Sequence, residues 1–276
     1  MEAFPTQATT PPLPVPPPFS PPAPGRAPGL WSAAGLIATY FVLQMAASTL
    51  AALVISLTAN FRHRWQGLGH AMPAAMDQPA MQALLVTLSL GIAAPLTLLL
   101  VHRKWPQWWS QAKPPGFGVA RPRRRLFFGL AVAVGLVAPW LGAWLTGLLA
   151  HGHAVTQDIQ LLGSSTPLAL RIPLVLVVVS VGPLVEELLF RGVLLSALLQ
   201  RWHVGWSVAI SSLAFALIHL PGLDFQWYAL PDLVLLALLL AWLRLRSGSI
   251  WPAVLAHGLN NLLGVAGWFV ALNLPG

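Results

Sequence analysis

The sequence predicts an all-α protein, a polytopic bundle of about seven transmembrane helices. Two observations predict this fold class: 57% of the 276 residues are hydrophobic while only 8% are charged, and long apolar runs recur along the chain. A transmembrane helix needs roughly 20 apolar residues, with about 17–25 being usual. This composition excludes an ordinary water-soluble domain.

The first element is a proline-rich tail, residues 1–29, which contains eleven prolines. Proline removes backbone donors and interrupts helices and sheets, so we expect a disordered, extended tail. The tail lacks the basic start and short apolar core of a signal peptide. The chain has no cysteine, which excludes disulfides, thiolate metal sites and cysteine nucleophiles.

Seven apolar runs follow the tail. The fifth and sixth are shorter than a full span, and the fourth is long, with a Gly182-Pro183 pair that offers a kink in its middle. Breaking the fourth run in two would give eight spans, which is the alternative. We divide the chain into N-terminal transmembrane helices, residues 30–165, and a C-terminal core, residues 166–276, that holds the polar motifs. The seven runs cover residues 30–59, 81–101, 126–150, 170–200, 206–219, 229–243 and 250–272.

The distribution of basic residues predicts the orientation. Cytoplasmic loops carry an excess of Lys and Arg, and the loop between the second and third runs holds seven of the 15. We therefore expect a cytoplasmic N-terminus and a C-terminus on the opposite side. This bias explains the net charge of +8, so we expect no nucleic-acid partner. The seven residues are Arg103, Lys104, Lys113, Arg121, Arg123, Arg124 and Arg125.

Two adjacent glutamates and an arginine lie inside the fourth run. A charged side chain at the centre of a bilayer costs about 2.5–3.5 kcal/mol, so such residues are candidates for a functional site. Glu187 and Arg191 are four residues apart, which predicts an ion pair on one helix face. Glu186 points about 100° away from Glu187 and does not share that face. A purely structural ion cluster is the alternative interpretation.

Two further motifs lie near the ends of later runs. His219 ends the segment that begins at Phe215, and His257 and Asn261 share one face of the seventh run. Glu186 and His219 are each about 15 residues from the turn at 200–204, which is roughly 22 Å of helix, so both lie at similar depth. His257 is only about eight residues past the turn at 246–249, which places it nearer the cytoplasm. Taken singly, these residues could be interfacial or could join helices by hydrogen bonds.

The order Glu-Glu-x-x-x-Arg, Phe-x-x-x-His and His-x-x-x-Asn on successive helices resembles the CPBP intramembrane peptidases. This family comprises the type II CAAX prenyl endopeptidases and their bacteriocin-processing and abortive-infection relatives. The resemblance covers about residues 170–272 and implies a role for each motif residue. Glu186 would be the general base for a water that His219 holds, and His257 and Asn261 would bind the oxyanion. Glu187 and Arg191 would support the site.

The resemblance also bears on the cofactor and the substrate. Glu186, His219 and His257 would make a His₂Glu zinc set, but the His-Glu-x-x-His signature is absent. We therefore expect a metal-free mechanism, with zinc as the alternative. The expected substrate is a membrane-associated peptide or protein, whether prenylated or not, and the expected location is a bacterial inner membrane.

Two other functions stay open at this stage. A non-catalytic binding or regulatory protein would use the same polar cluster to hold a lipid or a partner peptide. A proton-coupled transporter would use Glu186 and the histidines as a relay. A transporter predicts an internal repeat, whereas here the polar residues are concentrated in the C-terminal half of the chain and the first three spans contain no acidic residue.

Overall fold

The computed structural model describes residues 25–66, 78–151, 153 and 158–270. Within these ranges the chain forms helices and no strand, as its composition predicts. Most of the predicted tail, residues 1–24, lies outside the described residues. Residues 25–29 are described, and they lead without helix into the first long helix.

Seven long helical segments make up the bundle, and each coincides with one predicted apolar run. Short helices at Pro106–Trp109, Asp158–Ser165, Leu220–Leu223 and Trp227–Ala229 lie between them. The long segments are α1 (Leu30–Gln66), α2 (Pro79–Lys104), α3 (Leu126–Ala150), α4 (Leu168–Leu199), α5 (Val204–Leu217), α6 (Leu230–Ser247) and α7 (Trp251–Val270).

Five of these segments are long and apolar enough to cross a membrane, namely α1, α2, α3, α4 and α6. The fifth run forms a helix of only 14 residues, in line with its short predicted length. Helix α7 has 20 residues but includes the polar motif around His257, and it is not among the five. The count of seven membrane crossings therefore stays a prediction.

Helix α4 is one continuous helical run with two widened turns. The stretches Val177–Val181 and Leu188–Leu194 are π-helical, and they flank the α-helical segment Gly182–Glu187. The Gly182 N–H donates to the Val177 carbonyl, and the Leu195 N–H donates to the Phe190 carbonyl. Pro183 has no N–H to donate, which favours such a change of hydrogen bonding. The expected kink is accommodated by widened turns, and α4 is not broken into two helices.

The core surrounds the middle of α4. One buried cluster packs Leu36 and Tyr40 of α1 and Ala94 of α2 against Leu188 and Leu189 of α4. A second cluster joins α3, α6 and α7, and a third joins α2, α4 and α7. The first cluster contains residues from both sides of residue 165, where we placed the boundary between the two regions. That division stays a prediction.

The four segments that we expect at the cytoplasmic face lie at one end of the bundle. The Arg123 N–H donates to the Ser247 carbonyl at 2.9 Å, and the Ser249 hydroxyl donates to the Ala120 carbonyl at 2.6 Å. The Gln200 amide donates to the Pro28 carbonyl at 3.1 Å. These contacts join the start of α1, the loop after α2, the end of α4 and the α6–α7 turn. Which side of the membrane this end faces stays a prediction.

Candidate active site

The two glutamates of α4 lie in different surroundings. They are consecutive in the α-helical segment between the two π-helical stretches, so their side chains point to different faces. Glu187 is completely buried, whereas the side chain of Glu186 is 19% exposed. The carboxylate of Glu186 is therefore reachable by water, and that of Glu187 is not.

Glu187 forms the ion pair that its spacing from Arg191 predicts. Arg191 Nη1 donates to Glu187 Oε1 at 3.1 Å, and both side chains are buried. Arg191 also donates to the Ala237 carbonyl of α6 at 3.3 Å, and its guanidinium carbon lies 4.3 Å from the centre of the Phe215 ring. The arginine thus compensates a buried charge and joins α4 to α5 and α6.

The same oxygen of Glu187 also binds His257. His257 Nδ1 lies 3.0 Å from Glu187 Oε1, and the histidine side chain is 4% exposed. An ionised carboxylate only accepts hydrogen bonds, so Nδ1 carries the proton in this contact. Because each ring nitrogen has a separate role, this bond leaves Nε2 of a neutral His257 without a proton.

The Nε2 atoms of both histidines face Glu186. His219 Nε2 lies 3.9 Å and His257 Nε2 lies 3.8 Å from Glu186 Oε2. The Nδ1 of His219 donates to the Phe215 carbonyl at 2.8 Å, so a neutral His219 also presents an unprotonated Nε2. Glu186 Oε2 and the two Nε2 atoms are then three acceptors with no donor between them. A proton on one imidazole, or a donor such as water bound between them, stabilises this arrangement.

The side chains of His219, Glu186 and His257 differ in how far they are exposed. The side chain of His219 is 33% exposed, that of Glu186 is 19% exposed and that of His257 is 4% exposed. His219 follows the end of α5 and directly precedes the short helix Leu220–Leu223, so it lies at the edge of the bundle. Glu186 is therefore more accessible from the side of His219 than from the side of His257.

Asn261 lies one turn beyond His257, but its amide is engaged elsewhere. Asn261 Nδ2 donates to the Val178 carbonyl in the first π-helical stretch at 3.0 Å. The structure therefore brings Glu186, Glu187, Arg191, His219 and His257 together by direct contact, and it places Asn261 beside them as a link between α7 and α4. The oxyanion role of Asn261 stays a prediction.

The depth of His257 differs from the estimate made from the sequence. That estimate placed His257 nearer the cytoplasm than Glu186, yet the two side chains meet. The reason is the α6–α7 turn: Ser247, Ser249 and Ile250 are completely buried. The loop after α2 covers this turn, with the Ile250 N–H donating to the Gly118 carbonyl at 2.9 Å. Helix α7 therefore begins inside the bundle.

Two residues near the site were not identified from the sequence as candidates for a role. Phe215 was only part of a motif, but its ring contacts Arg191 and lies 5.6 Å, centre to centre, from the ring of His257. Tyr40 of α1 is 2% exposed, its hydroxyl has no hydrogen-bond partner among the described residues, and it lies in the same buried cluster as Val185 and Leu188 of α4. A single tyrosine in an apolar run gives no local signal that it packs beside the glutamate-bearing turn of another helix.

The zinc alternative requires three ligands around one ion. In the part of the chain that the structure describes, no group of three or more His, Cys, Asp or Glu side chains is arranged to hold a metal ion. Ligands about 2.0–2.1 Å from a tetrahedral zinc are about 3.3 Å apart, and the two Nε2 atoms lie 3.8 and 3.9 Å from Glu186 Oε2. These two distances are about 0.5 Å longer than between the ligands of one zinc ion, and the metal-free mechanism stays a prediction.

Comparison with known proteins gives two matches. A "Putative membrane peptidase YdiL" from Bacillus subtilis (strain 168) is 26% identical over 151 residues, which is 51% of this chain and 60% of that protein. No solved structure matches the chain.

Residues 168–263 match the family model "Rce1-like: Type II CAAX prenyl endopeptidase Rce1-like". The matched segment runs from the start of α4 into α7 and includes every motif residue from Glu186 to Asn261. The resemblance predicted from the motifs is confirmed for residues 168–263, which are similar to the Rce1-like type II CAAX prenyl endopeptidases. This match and the long apolar helices indicate an integral membrane protein.

Proposed function

We propose that the protein is an intramembrane endopeptidase that cleaves a membrane-associated peptide or protein with a water activated by Glu186 and His219. The observation that carries this proposal is the convergence of the Nε2 atoms of two histidines on the one partly exposed carboxylate of α4. A water between Glu186 Oε2 and His219 Nε2 has an acceptor for each of its two protons. Such a water is held and ready for deprotonation.

The proposed reaction uses Glu186 to move one proton. Glu186 takes a proton from the water, and the resulting hydroxide attacks the carbonyl carbon of the scissile peptide bond. The C–N bond then breaks, and the proton passes from Glu186 to the leaving amine. The hydroxyl of the water ends on the new carboxyl group and its proton on the new amine, and the Glu186 carboxylate is regenerated.

His257 has a different role in this proposal. Its Nδ1–H is bound to Glu187, so only a doubly protonated His257 offers an Nε2–H to the developing oxyanion. Glu187 and Arg191 thus act through His257, as positioning residues.

An apolar cavity next to the site supports the proposal that the substrate lies in the membrane. A cavity of about 310 Å³ lies between α4 and α7 and is lined by Val179, Leu184, Trp251, Leu255 and Leu259, among others. Its lining includes Gly258, the residue next to His257. An apolar segment of a substrate that lies in this cavity would approach the site from the lipid side. We propose a bacterial inner membrane as the location, with the N-terminus in the cytoplasm.

The proposed chemistry is tested by changing the base without changing its shape. A peptide library incubated with the purified full chain in lipid nanodiscs, and read by mass spectrometry, first identifies a cleaved peptide. Glu186→Gln is then compared with wild type in single-turnover cleavage of that peptide, each variant being checked for native unfolding behaviour. We expect no cleavage, because an amide cannot accept the proton. Asp224→Asn, at an exposed carboxylate outside the site, is the matched control and should cleave normally.

Two results would contradict the proposal. Cleavage by Glu186→Gln at the wild-type rate would make Glu186 structural. No cleavage of any library peptide by the wild-type protein, together with retention of intact peptides on it, would instead indicate a non-catalytic binding protein.

A further inference from the structure

A second cavity, which is lined by cationic residues, lies at the end of the bundle formed by the start of α1 and the ends of α2 and α4. Its volume is about 370 Å³. Three cationic side chains from three different segments line it: Arg26 before α1, Lys104 at the end of α2, and Arg201 after α4. Trp31 and Trp105 complete its wall. None of these residues takes part in the candidate active site.

The backbone that carries Arg26 is held in place by two hydrogen bonds. The Trp108 indole N–H donates to the Gly25 carbonyl at 3.2 Å, and the Gln200 amide donates to the Pro28 carbonyl at 3.1 Å. Pro28 is buried as a result. Lys104 is positioned as well, because its ammonium lies 4.8 Å from the centre of the Trp105 ring. The three exposed cationic residues therefore line one cavity from backbone segments that are held together.

No described carboxylate balances these three charges. The ion pairs of the described residues all involve Glu186 or Glu187. Of the other carboxylates, Asp224 lies between α5 and α6 and Asp232 in the first turn of α6, at the opposite end of the bundle. Asp158 begins the short helix Asp158–Ser165, which precedes α4 and is not among the segments that line the cavity. Three like charges around one cavity repel each other, and an anion bound between them removes that repulsion.

The depth of the cavity indicates the kind of anion. It is bounded by the residues at which three membrane-spanning helices begin or end, so it lies where the apolar core of a bilayer meets the headgroups. Trp31 is 90% exposed, and tryptophan is enriched at this level of a membrane. One turn before Lys104, Leu99 and Leu100 are exposed on the surface of α2, where acyl chains would lie.

We propose that this cavity binds the phosphate of an anionic phospholipid headgroup, such as that of phosphatidylglycerol. The phosphate lies between Arg26, Lys104 and Arg201, and the acyl chains run down the exposed face of α2. The bound lipid joins the segment before α1 to the end of α4, the helix that carries Glu186 and Glu187. This site is independent of the proposed cleavage reaction.

The test measures lipid binding to the full chain by native mass spectrometry, with phosphatidylglycerol and phosphatidylcholine in separate titrations. The triple variant Arg26→Gln, Lys104→Gln, Arg201→Gln is compared with a control triple variant, Arg103→Gln, Arg124→Gln, Arg246→Gln. The control removes the same charge from exposed residues at the same end of the bundle that do not line the cavity. Arg201→Gln alone serves as a milder variant.

We expect the cavity variant to bind phosphatidylglycerol more weakly by roughly five-fold for each cation removed. The control variant and phosphatidylcholine binding should change little. Equal weakening in both triple variants would show that only the general positive charge matters and would overturn the proposal. Equal affinity of the wild type for the two lipids would also overturn it. Saturation of the same site by inorganic phosphate, with no gain from the lipid, would show a free-anion site instead.

Discussion

His257 Nδ1 lies 3.0 Å from Glu187 Oε1, and the same oxygen accepts a hydrogen bond from Arg191 at 3.1 Å. One buried carboxylate oxygen therefore fixes both the arginine of its own helix and the histidine of α7. The contact sets the direction in which the other nitrogen of His257 points, which is toward Glu186. The four predictions below depend on this buried group and on its neighbours.

Removal of Arg191 should destabilise the protein. Arg191→Ala leaves Glu187 buried with an uncompensated charge, and breaking a buried pair in this way costs about 3–5 kcal/mol. We expect a lower yield of folded protein and a lower unfolding temperature in detergent, together with reduced cleavage. The double variant Arg191→Ala, Glu187→Gln, which removes both charges, should regain part of that stability. A single variant with the expression, unfolding temperature and activity of the wild type would contradict the prediction.

Chelation should leave cleavage largely intact. The sequence lacks a His-Glu-x-x-His signature, and the two histidine Nε2 atoms lie 3.9 and 3.8 Å from Glu186 Oε2, so we expect no loss after treatment with EDTA or phenanthroline. The measurement is the initial rate of cleavage before and after dialysis, with a parallel sample to which zinc is added back. Complete loss that zinc restores would reassign Glu186, His219 and His257 as metal ligands and keep the enzyme class.

Asn261→Ala should slow cleavage without abolishing it. One oxyanion donor contributes about 10²–10³ to turnover, and in this variant His257 remains as a donor. Loss of the bond to the Val178 carbonyl should also lower stability, by about 1–3 kcal/mol. Asn260→Ala is the matched control, because Asn260 is the preceding residue on the same helix and its amide donates only a long bond to the Asn261 side-chain oxygen, at 3.5 Å, among the described residues. A similar small effect of both variants on the single-turnover rate would exclude Asn261 from the reaction.

Tyr40→Phe should reduce turnover and preserve stability. The Tyr40 hydroxyl is buried and has no hydrogen-bond partner in the described part of the chain, so its removal relieves an unsatisfied group. Tyr40 lies in the same buried cluster as Val185 and Leu188, on either side of the two glutamates, and a hydrogen bond from its hydroxyl to the charged group during the reaction would contribute about ten-fold or more to kcat. Tyr228→Phe, the other tyrosine, should leave kcat unchanged. An unaltered kcat for Tyr40→Phe with a raised unfolding temperature would show that the hydroxyl has no part in the reaction.

The sequence by itself determined the helical class, the position of each long helix and the three polar motifs. These features depend on local properties: apolar composition sets where helices form, and the 3.6-residue period fixes that Glu187 and Arg191 share a face. The family resemblance followed from the same motifs. Residues 1–24 lie outside the described structure, so the prediction of a disordered tail is not tested.

Only the tertiary structure decided which side chains meet. Counting residues from the nearest turn placed His257 too close to the cytoplasm, because the burial of the α6–α7 turn beneath the loop after α2 depends on contacts between distant segments. The same holds for the shared bond of Glu187 to Arg191 and His257, for the packing of Tyr40 against the middle of α4, and for the cavity between Arg26, Lys104 and Arg201. Helix periodicity fixes a residue's face and approximate depth, whereas packing between helices fixes its partner.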